Sequence, residues 1–126
     1  MIRGFKDLRI YQKSYDLSLR IHKLTKGFPK KEQYEMGSQI RRAAMSVPLN
    51  IAEGYGNKQS NIEFKRFLKI AMGSINEVEV LLDMSKDLNY INEGDHKEMV
   101  EEYVVVRKQI YTTIKKWEES DKKSDI

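Results

Sequence analysis

Apolar residues recur at alternating steps of three and four along most of this chain, and no segment shows the period of two typical of a β-strand. The clearest run extends from Phe64 to Leu88, and similar runs occupy residues 7–26, 32–55 and 99–117. Since this spacing places the apolar side chains on one face of a helix, the sequence predicts four amphipathic α-helices.

Short polar segments separate the predicted helices. Residues 27–29, Gly-Phe-Pro, end the first helix, and residues 54–58 end the second. Ser60 and Glu63 have the spacing of a capping box, and Asn92 fits an N-cap for the last helix. Because short connections make consecutive helices antiparallel, the predicted fold is all-α, an antiparallel up-down-up-down four-helix bundle.

The length and composition indicate one globular domain. The chain has 126 residues, 40% of them hydrophobic and 33% charged, and we assign residues 1–118 to the bundle and residues 119–126 to a polar tail. The chain contains no cysteine, which excludes disulfides and thiolate chemistry. No apolar run approaches the roughly 18 residues of a membrane span, so we expect a cytoplasmic protein without membrane contact.

The second predicted helix contains Pro48, which removes a backbone donor and predicts a kink or a break near Ser46. Ser46, Asn50 and Glu53 share one helical face around it. The favoured interpretation is a structural polar kink, in which Ser46 and Asn50 bond the freed carbonyls and Glu53 accepts from Asn50 or an arginine. The alternative is a small-molecule site. Residues 71–74 of the third helix are expected to pack closely, against this kink.

No arrangement of side chains indicates catalysis or metal binding. Neither histidine, His22 or His96, has serine and aspartate partners placed by the helical period. Glu93 and His96 form one Glu-x-x-His pair, whereas di-iron bundles use two such pairs. The pair is better explained as solvated residues at a helix start. We therefore expect no enzyme activity, no catalytic residue, no metal and no cofactor.

Charge is distributed unevenly along the chain. Residues 1–30 carry eight lysines and arginines against two aspartates, whereas residues 91–126 carry seven basic and nine acidic residues within a net charge of +4. Basic and acidic helices can lie side by side and neutralise each other, or the basic face can meet a polyanion. Charge alone favours the first interpretation.

One long motif makes the sequence similar to a known family. Residues 39–54 read QIRRAAMSVPLNIAEG, and the resemblance covers nearly the whole chain except the last helix, which matches only in general pattern. The chain resembles the 23S rRNA intervening-sequence proteins, also called S23 ribosomal proteins. Further matching segments are residues 5–8, 11–14, 28–29, 34–36, 63–68, 71–74 and position 77.

The resemblance carries expectations about assembly and partners. Members of this family are similar to the accessory variability protein of diversity-generating retroelements, a basic bundle that forms a homopentameric barrel and binds nucleic acid and a reverse transcriptase. The resemblance therefore implies a bacterial, cytoplasmic, non-enzymatic bundle that forms a homo-oligomer, a ring of five.

Two functional hypotheses follow from charge and resemblance together. The first is an oligomeric accessory factor that binds nucleic acid, RNA in preference to DNA, through phosphate contacts of a basic face. The second is a homo-oligomeric scaffold whose basic and acidic faces meet across subunits and which binds a protein partner without nucleic acid. For the first hypothesis the candidate nucleic-acid-binding residues are Lys6, Arg9, Lys13, Arg20, Arg41 and Arg42, although Arg41 and Arg42 have the alternative of holding Glu53 or Glu77.

Overall fold

The computed structural model describes the backbone of residues 1–124 and the side chains of residues 1–118. Within this part of the chain the structure is entirely helical, with four long helices and no strand, which confirms the predicted bundle. A turn of 3-10 helix at Phe5–Asp7 precedes α1 (Arg9–Thr25), the single turn α2 (Lys30–Gln33), α3 (Met36–Gly56), α4 (Asn61–Asp87) and α5 (Glu93–Ser124).

The four long helices are antiparallel to their neighbours, in the order α1, α3, α4, α5 around the bundle. Ser46 of α3 lies beside Ser74 of α4, and Phe64 at the start of α4 contacts Trp117 near the end of α5, with ring centroids 4.7 Å apart. Helix α5 returns to contact α1, and this α1–α5 contact is the least extensive of the four. Helices α1 and α4 therefore lie on a diagonal of the bundle.

The core is formed by the apolar faces that the sequence period defines. Its fully buried side chains come from all four long helices, and burying each one contributes roughly 1.5–3 kcal/mol before the entropic cost of ordering it. None of the helices in the described part of the chain is long and apolar enough to cross a membrane. Representative core residues are Ile21, Ile40, Leu68, Ile75, Leu82, Val106 and Ile110.

The second predicted helix is divided in the structure. Helix α2 ends at Gln33 and α3 begins at Met36, with Glu35 between them in a non-helical conformation (φ −101°, ψ −89°). The guanidinium of Arg41 fills this break, and its Nη2 donates to the carbonyl oxygen of Gln33 at 2.8 Å. Arg41, about one and a half turns into α3, thus stabilises the break between α2 and α3. The spacing of apolar residues alone does not predict this break.

Helix ends follow the predicted capping signals. The Ser60 hydroxyl accepts from the backbone N–H of Glu63 at 3.2 Å, and the Asn92 side chain accepts from the N–H of Asp95 at 2.7 Å. The Glu63 carboxylate does not complete the capping box, because it binds the guanidinium of Arg66 instead. That hydrogen bond lowers the pKa of Glu63. Asn89, with φ 64°, supplies the left-handed residue after α4.

Helix α3 continues through Pro48 without the break that the sequence allowed. The polar side chains beside the proline bond one another and the next helix. The amide of Asn50 donates to the carbonyl oxygen and to the hydroxyl of Ser46, at 2.8 and 2.9 Å, and the hydroxyls of Ser46 and Ser74 are 2.7 Å apart. Ser74 thus makes the close contact expected of residues 71–74, whereas Gly73 is exposed and does not pack against this region.

Two details of the expected polar kink differ in the structure. The bonds of Asn50 reach Ser46 rather than the carbonyl of Ala44, the residue whose helical donor Pro48 removes. Glu53 lies exposed, apart from the serine and asparagine cluster. The physical reason is that the Asn50 amide is already occupied by Ser46, so Glu53 receives no donor from it.

Tyr103 is completely buried in the core, and its hydroxyl has no hydrogen-bond partner among the described residues. Burial raises the pKa of this phenol. Because the buried phenol stays neutral while the unfolded one ionises, the free energy of unfolding falls as the pH rises above the unfolded pKa of about 10.

The Tyr103→Phe substitution should increase the free energy of unfolding by about 1 kcal/mol at pH 7, since it removes a buried polar group without a partner. Urea denaturation of both proteins at pH 7 and pH 10.5 measures this. The free energy of unfolding should fall more for the wild type than for the variant between pH 7 and pH 10.5. A variant less stable than the wild type at pH 7 would contradict the conclusion that the Tyr103 hydroxyl has no hydrogen-bond partner.

Candidate nucleic-acid interface

Basic residues gather at one end of the bundle. The antiparallel helices bring together residues 1–13, 53–69 and 108–118, a region called here the basic end. It contains eleven lysines and arginines but four acidic residues, whereas residues 14–52 and 70–107 together contain ten basic and twelve acidic residues. The charge asymmetry of the protein therefore runs along the bundle axis. The basic residues are Arg3, Lys6, Arg9, Lys13, Lys58, Lys65, Arg66, Lys69, Lys108, Lys115 and Lys116.

Three of the six candidate nucleic-acid-binding residues, Lys6, Arg9 and Lys13, lie at the basic end. The other three, Arg20, Arg41 and Arg42, lie away from it along the helices. The structure thus brings the first three together and separates them from the rest.

Two of the separated arginines have internal partners. Arg20 bonds the carboxylate of Glu98 on α5 at 2.5 Å. Arg41 donates to the Thr25 hydroxyl at 2.9 Å and to the Gln33 carbonyl, so it holds neither of the acidic residues that the sequence offered as alternatives. Arg42, the next residue along α3, is exposed and makes no side-chain bond or ion pair within the described structure.

Sequence reasoning missed the lysines that α5 adds to the basic end. Lys108, Lys115 and Lys116 belong to the last quarter of the chain, whose overall charge is negative. The acidic residues of α5 that precede them, from Glu93 to Glu102, lie toward the opposite end of the bundle. Charge counted along helical turns, rather than over sequence blocks, is the signal that would have found these lysines.

A cleft of about 370 Å³ opens between α1 and α5 at the basic end. Arg9 lines one wall, and Lys108 and Lys116 line the other. All the residues that line this cleft lie in the described part of the chain, and none of them is acidic. This α1–α5 cleft is also walled by Leu8, Ile10, Phe64, Gln109, Thr112 and Thr113.

The hydroxyls on the α5 wall are used within the helix. Thr112 and Thr113 each donate at 3.0 Å to the backbone carbonyl four residues earlier. The Oε1 atom of Gln109, in contrast, is buried and has no partner within the described residues. Among the described residues, the free donors of the cleft are therefore its three cations, whereas the Oε1 atom of Gln109 is a buried acceptor.

The boundary between α1 and α5 carries both positive and negative charges at the other end of the bundle. A second cleft, of about 420 Å³, is lined by Arg20 and Lys23 but also by Asp95 and Glu98. Positive charge is balanced there by carboxylates, one of which already binds Arg20. The neutralisation expected for adjacent basic and acidic helices thus occurs at this end, and not at the basic end.

Apolar side chains are exposed on the sides of the bundle. A groove of about 390 Å³ between α1 and α3, the apolar groove, contains Tyr15, Leu19 and Leu49, which are 50%, 55% and 62% exposed. On α4, diagonal to α1, the exposed side chains of Val80 and Met84 point outward. Apolar patches of this kind are typical of surfaces that contact another protein.

The histidines have structural contacts. His96 bonds the Asp83 carboxylate on α4 at 2.7 Å, and the Nδ1 atom of His22 is 2.9 Å from the carbonyl oxygen of Ser18. Among the residues that the structure describes, no group of three or more acidic or histidine side chains is placed to hold a metal ion.

The geometry defines a class, the small helical-bundle proteins with a basic surface at one end and exposed apolar surfaces on the sides. The family model of the 23S rRNA-intervening sequence protein matches residues 6–112, and the chain belongs to this family. The resemblance read from the motif is thereby confirmed.

A solved structure agrees with this assignment. The chain is similar to a protein of unknown function from the S23 ribosomal protein family of Bacteroides thetaiotaomicron VPI-5482, known from a crystal structure. The two share 27% identity and a TM-score of 0.77, over 84% of this chain and 98% of the other. No curated protein matches the chain.

Proposed function

We propose that this protein is a non-enzymatic accessory factor that binds nucleic acid, RNA in preference to DNA, through the basic end. The observation that carries the proposal is the excess of eleven basic over four acidic residues at that end, together with a cleft that no carboxylate of the described residues lines. The family description, which names a 23S rRNA intervening sequence, supports RNA as the first nucleic acid to test. The proposed compartment is the cytoplasm.

The chemistry of such a surface is recognition of phosphates rather than of bases. Lys6 and Arg9 are exposed, and their flexible cationic groups can approach a backbone of any sequence. Binding of this kind releases condensed counterions, so its strength falls steeply with salt concentration. Arg20 and Arg41 are left out of the proposed contacts, since each already has a partner within the fold.

We further propose that the protein acts as a homo-oligomer, with the apolar groove of one subunit receiving the exposed α4 surface of the next. The two surfaces differ, one lying between α1 and α3 and the other on α4, and head-to-tail contacts between different surfaces generate rings when they close. Five subunits is the number that the family resemblance implies. Several basic ends in one particle would raise the affinity for a long polyanion without any new type of contact.

The alternative function is a homo-oligomeric scaffold that binds a protein partner and no nucleic acid. The exposed apolar groove is the observation that favours it, because Tyr15, Leu19 and Leu49 could pack against a helix of another protein. This alternative assigns no ligand to the basic end.

Binding of nuclease-treated protein to a structured RNA and to a duplex DNA, across a series of salt concentrations, tests the proposal. We expect binding at low salt with a steep negative slope of log affinity against log salt. Mass measurement of the same samples gives the oligomeric state. An intact oligomer that binds neither ligand at low salt would contradict the proposed function and favour the scaffold.

A further inference from the structure

We propose that the α1–α5 cleft is a binding site for successive phosphates of one nucleic-acid strand, held by Arg9, Lys108 and Lys116. This inference rests on the proposed function and deepens it, because it assigns the contact to one cleft and includes helix α5. The chemical class of ligand is a phosphodiester backbone, from RNA or DNA.

The three cations are available to a ligand. Arg9, Lys108 and Lys116 are exposed, and none of them makes a side-chain hydrogen bond or ion pair within the described structure. Nearby basic residues differ in this respect: Arg66 binds Glu63, and Lys115 lies 3.5 Å from Glu118. Among the residues that the structure describes, an incoming phosphate therefore has no carboxylate to displace in the cleft, whereas it competes with one at Arg66.

The spacing of the lysines indicates a strand rather than a single phosphate group. Lys108 and Lys116 are eight residues apart on α5, a separation of about 12 Å along the helix axis. The phosphates of one strand of a duplex recur about every 3.4 Å along its axis, so this distance spans roughly three to four nucleotides. A backbone lying along α5 can contact the two lysines through different phosphates.

The opposite wall completes the site. Arg9 stands in the first turn of α1 and faces the cleft across the least extensive helix contact of the bundle. A guanidinium can donate two hydrogen bonds to one phosphate, so Arg9 would fix the position of a strand that the two lysines attract.

The test compares two triple variants with the same change in charge. The cleft variant is Arg9→Gln, Lys108→Gln and Lys116→Gln, and the control replaces Lys26, Lys30 and Lys31 with glutamine, all exposed and away from the basic end. For single-stranded oligonucleotides, the cleft variant should bind at least about tenfold more weakly, with a salt slope reduced by about two. The control should bind like the wild type. Thermal unfolding of both variants should match the wild type, since the substituted side chains are exposed.

The outcomes separate the cleft from the proposed function. Equal weakening of both variants would overturn the cleft and leave nucleic-acid binding by general charge. The experiment uses an RNA and a DNA oligonucleotide of the same sequence. Binding of both supports the phosphodiester backbone as the ligand, and binding of RNA alone identifies RNA as the nucleic acid that supplies this backbone.

A wild-type protein that binds neither oligonucleotide would overturn the proposed function. A titration with tripolyphosphate then tests whether the α1–α5 cleft binds a polyanion at all. Amide chemical-shift changes confined to Thr112, Thr113 and their neighbours would support a polyanion site there. Their absence would overturn it.

Discussion

The Arg41→Ala variant is expected to lose about 2–3 kcal/mol of unfolding free energy, although arginine is ordinarily a surface residue. Its guanidinium donates to the Thr25 hydroxyl at 2.9 Å and to the Gln33 carbonyl at 2.8 Å, and so ties α1, α2 and α3 together. The space it occupies is also shaped for it, because a Cβ atom on Gly37 would lie 2.9 Å from its Nη1. Alanine would leave the carbonyl without its donor and the space empty.

Its neighbour Arg42 is the matched control. Arg42 is exposed, without a side-chain partner in the described structure, so Arg42→Ala should change stability by less than about 0.5 kcal/mol. Urea denaturation of the two variants measures the difference. Equal stabilities would contradict the assigned role of Arg41, and oligonucleotide binding by a folded Arg41→Ala protein should remain like that of the wild type.

The Gly54→Ala variant is expected to be less stable by up to about 2 kcal/mol, the balance of two opposing effects. Alanine favours a helix over glycine by about 1 kcal/mol. However, a Cβ atom at Gly54 would lie 2.9 Å from the Cβ of Phe67 and 3.5 Å from the carbonyl oxygen of Phe64. Helices α3 and α4 must then move apart at this contact, and overpacking of this kind costs about 1–3 kcal/mol.

Gly73 provides the control on α4. It is exposed in a helix interior, and a Cβ atom there meets nothing within 4 Å. Gly73→Ala should therefore increase stability by up to about 1 kcal/mol in a thermal or urea unfolding experiment. Opposite signs for the two glycines are the expected result, and a stabilised Gly54→Ala protein would show that α3 and α4 can separate without cost.

The fold could be predicted from the sequence because its signals are local. The three-four spacing defines each helical face, and Ser60 and Asn92 mark helix starts through bonds to residues three positions later. Short connections then leave few arrangements other than an antiparallel bundle. The break before Met36 escaped this reasoning, because it depends on a side chain that reaches back from Arg41.

The candidate site was only partly predictable, for the same physical reason. Lys6, Arg9 and Lys13 lie close in sequence and fall at one end of the bundle, and their role in binding stays a prediction. Arg20 and Arg41 have the same charge, but their partners come from other helices and cannot be read from local spacing. The lysines of α5 reach the basic end only through the antiparallel return of the chain.

The axial charge asymmetry also makes each subunit an electric dipole along its bundle. In an assembly with only rotational symmetry, components of these dipoles perpendicular to the axis cancel, while components parallel to it add. A particle with bundles parallel to its axis would therefore have two faces of unlike potential and would turn one face toward a polyanion before touching it. A two-fold axis perpendicular to the rotation axis would cancel the remaining dipole, and the particle would then not be oriented by the field of a polyanion. The symmetry of the assembly therefore decides whether the charge asymmetry of the subunits has an effect at long range.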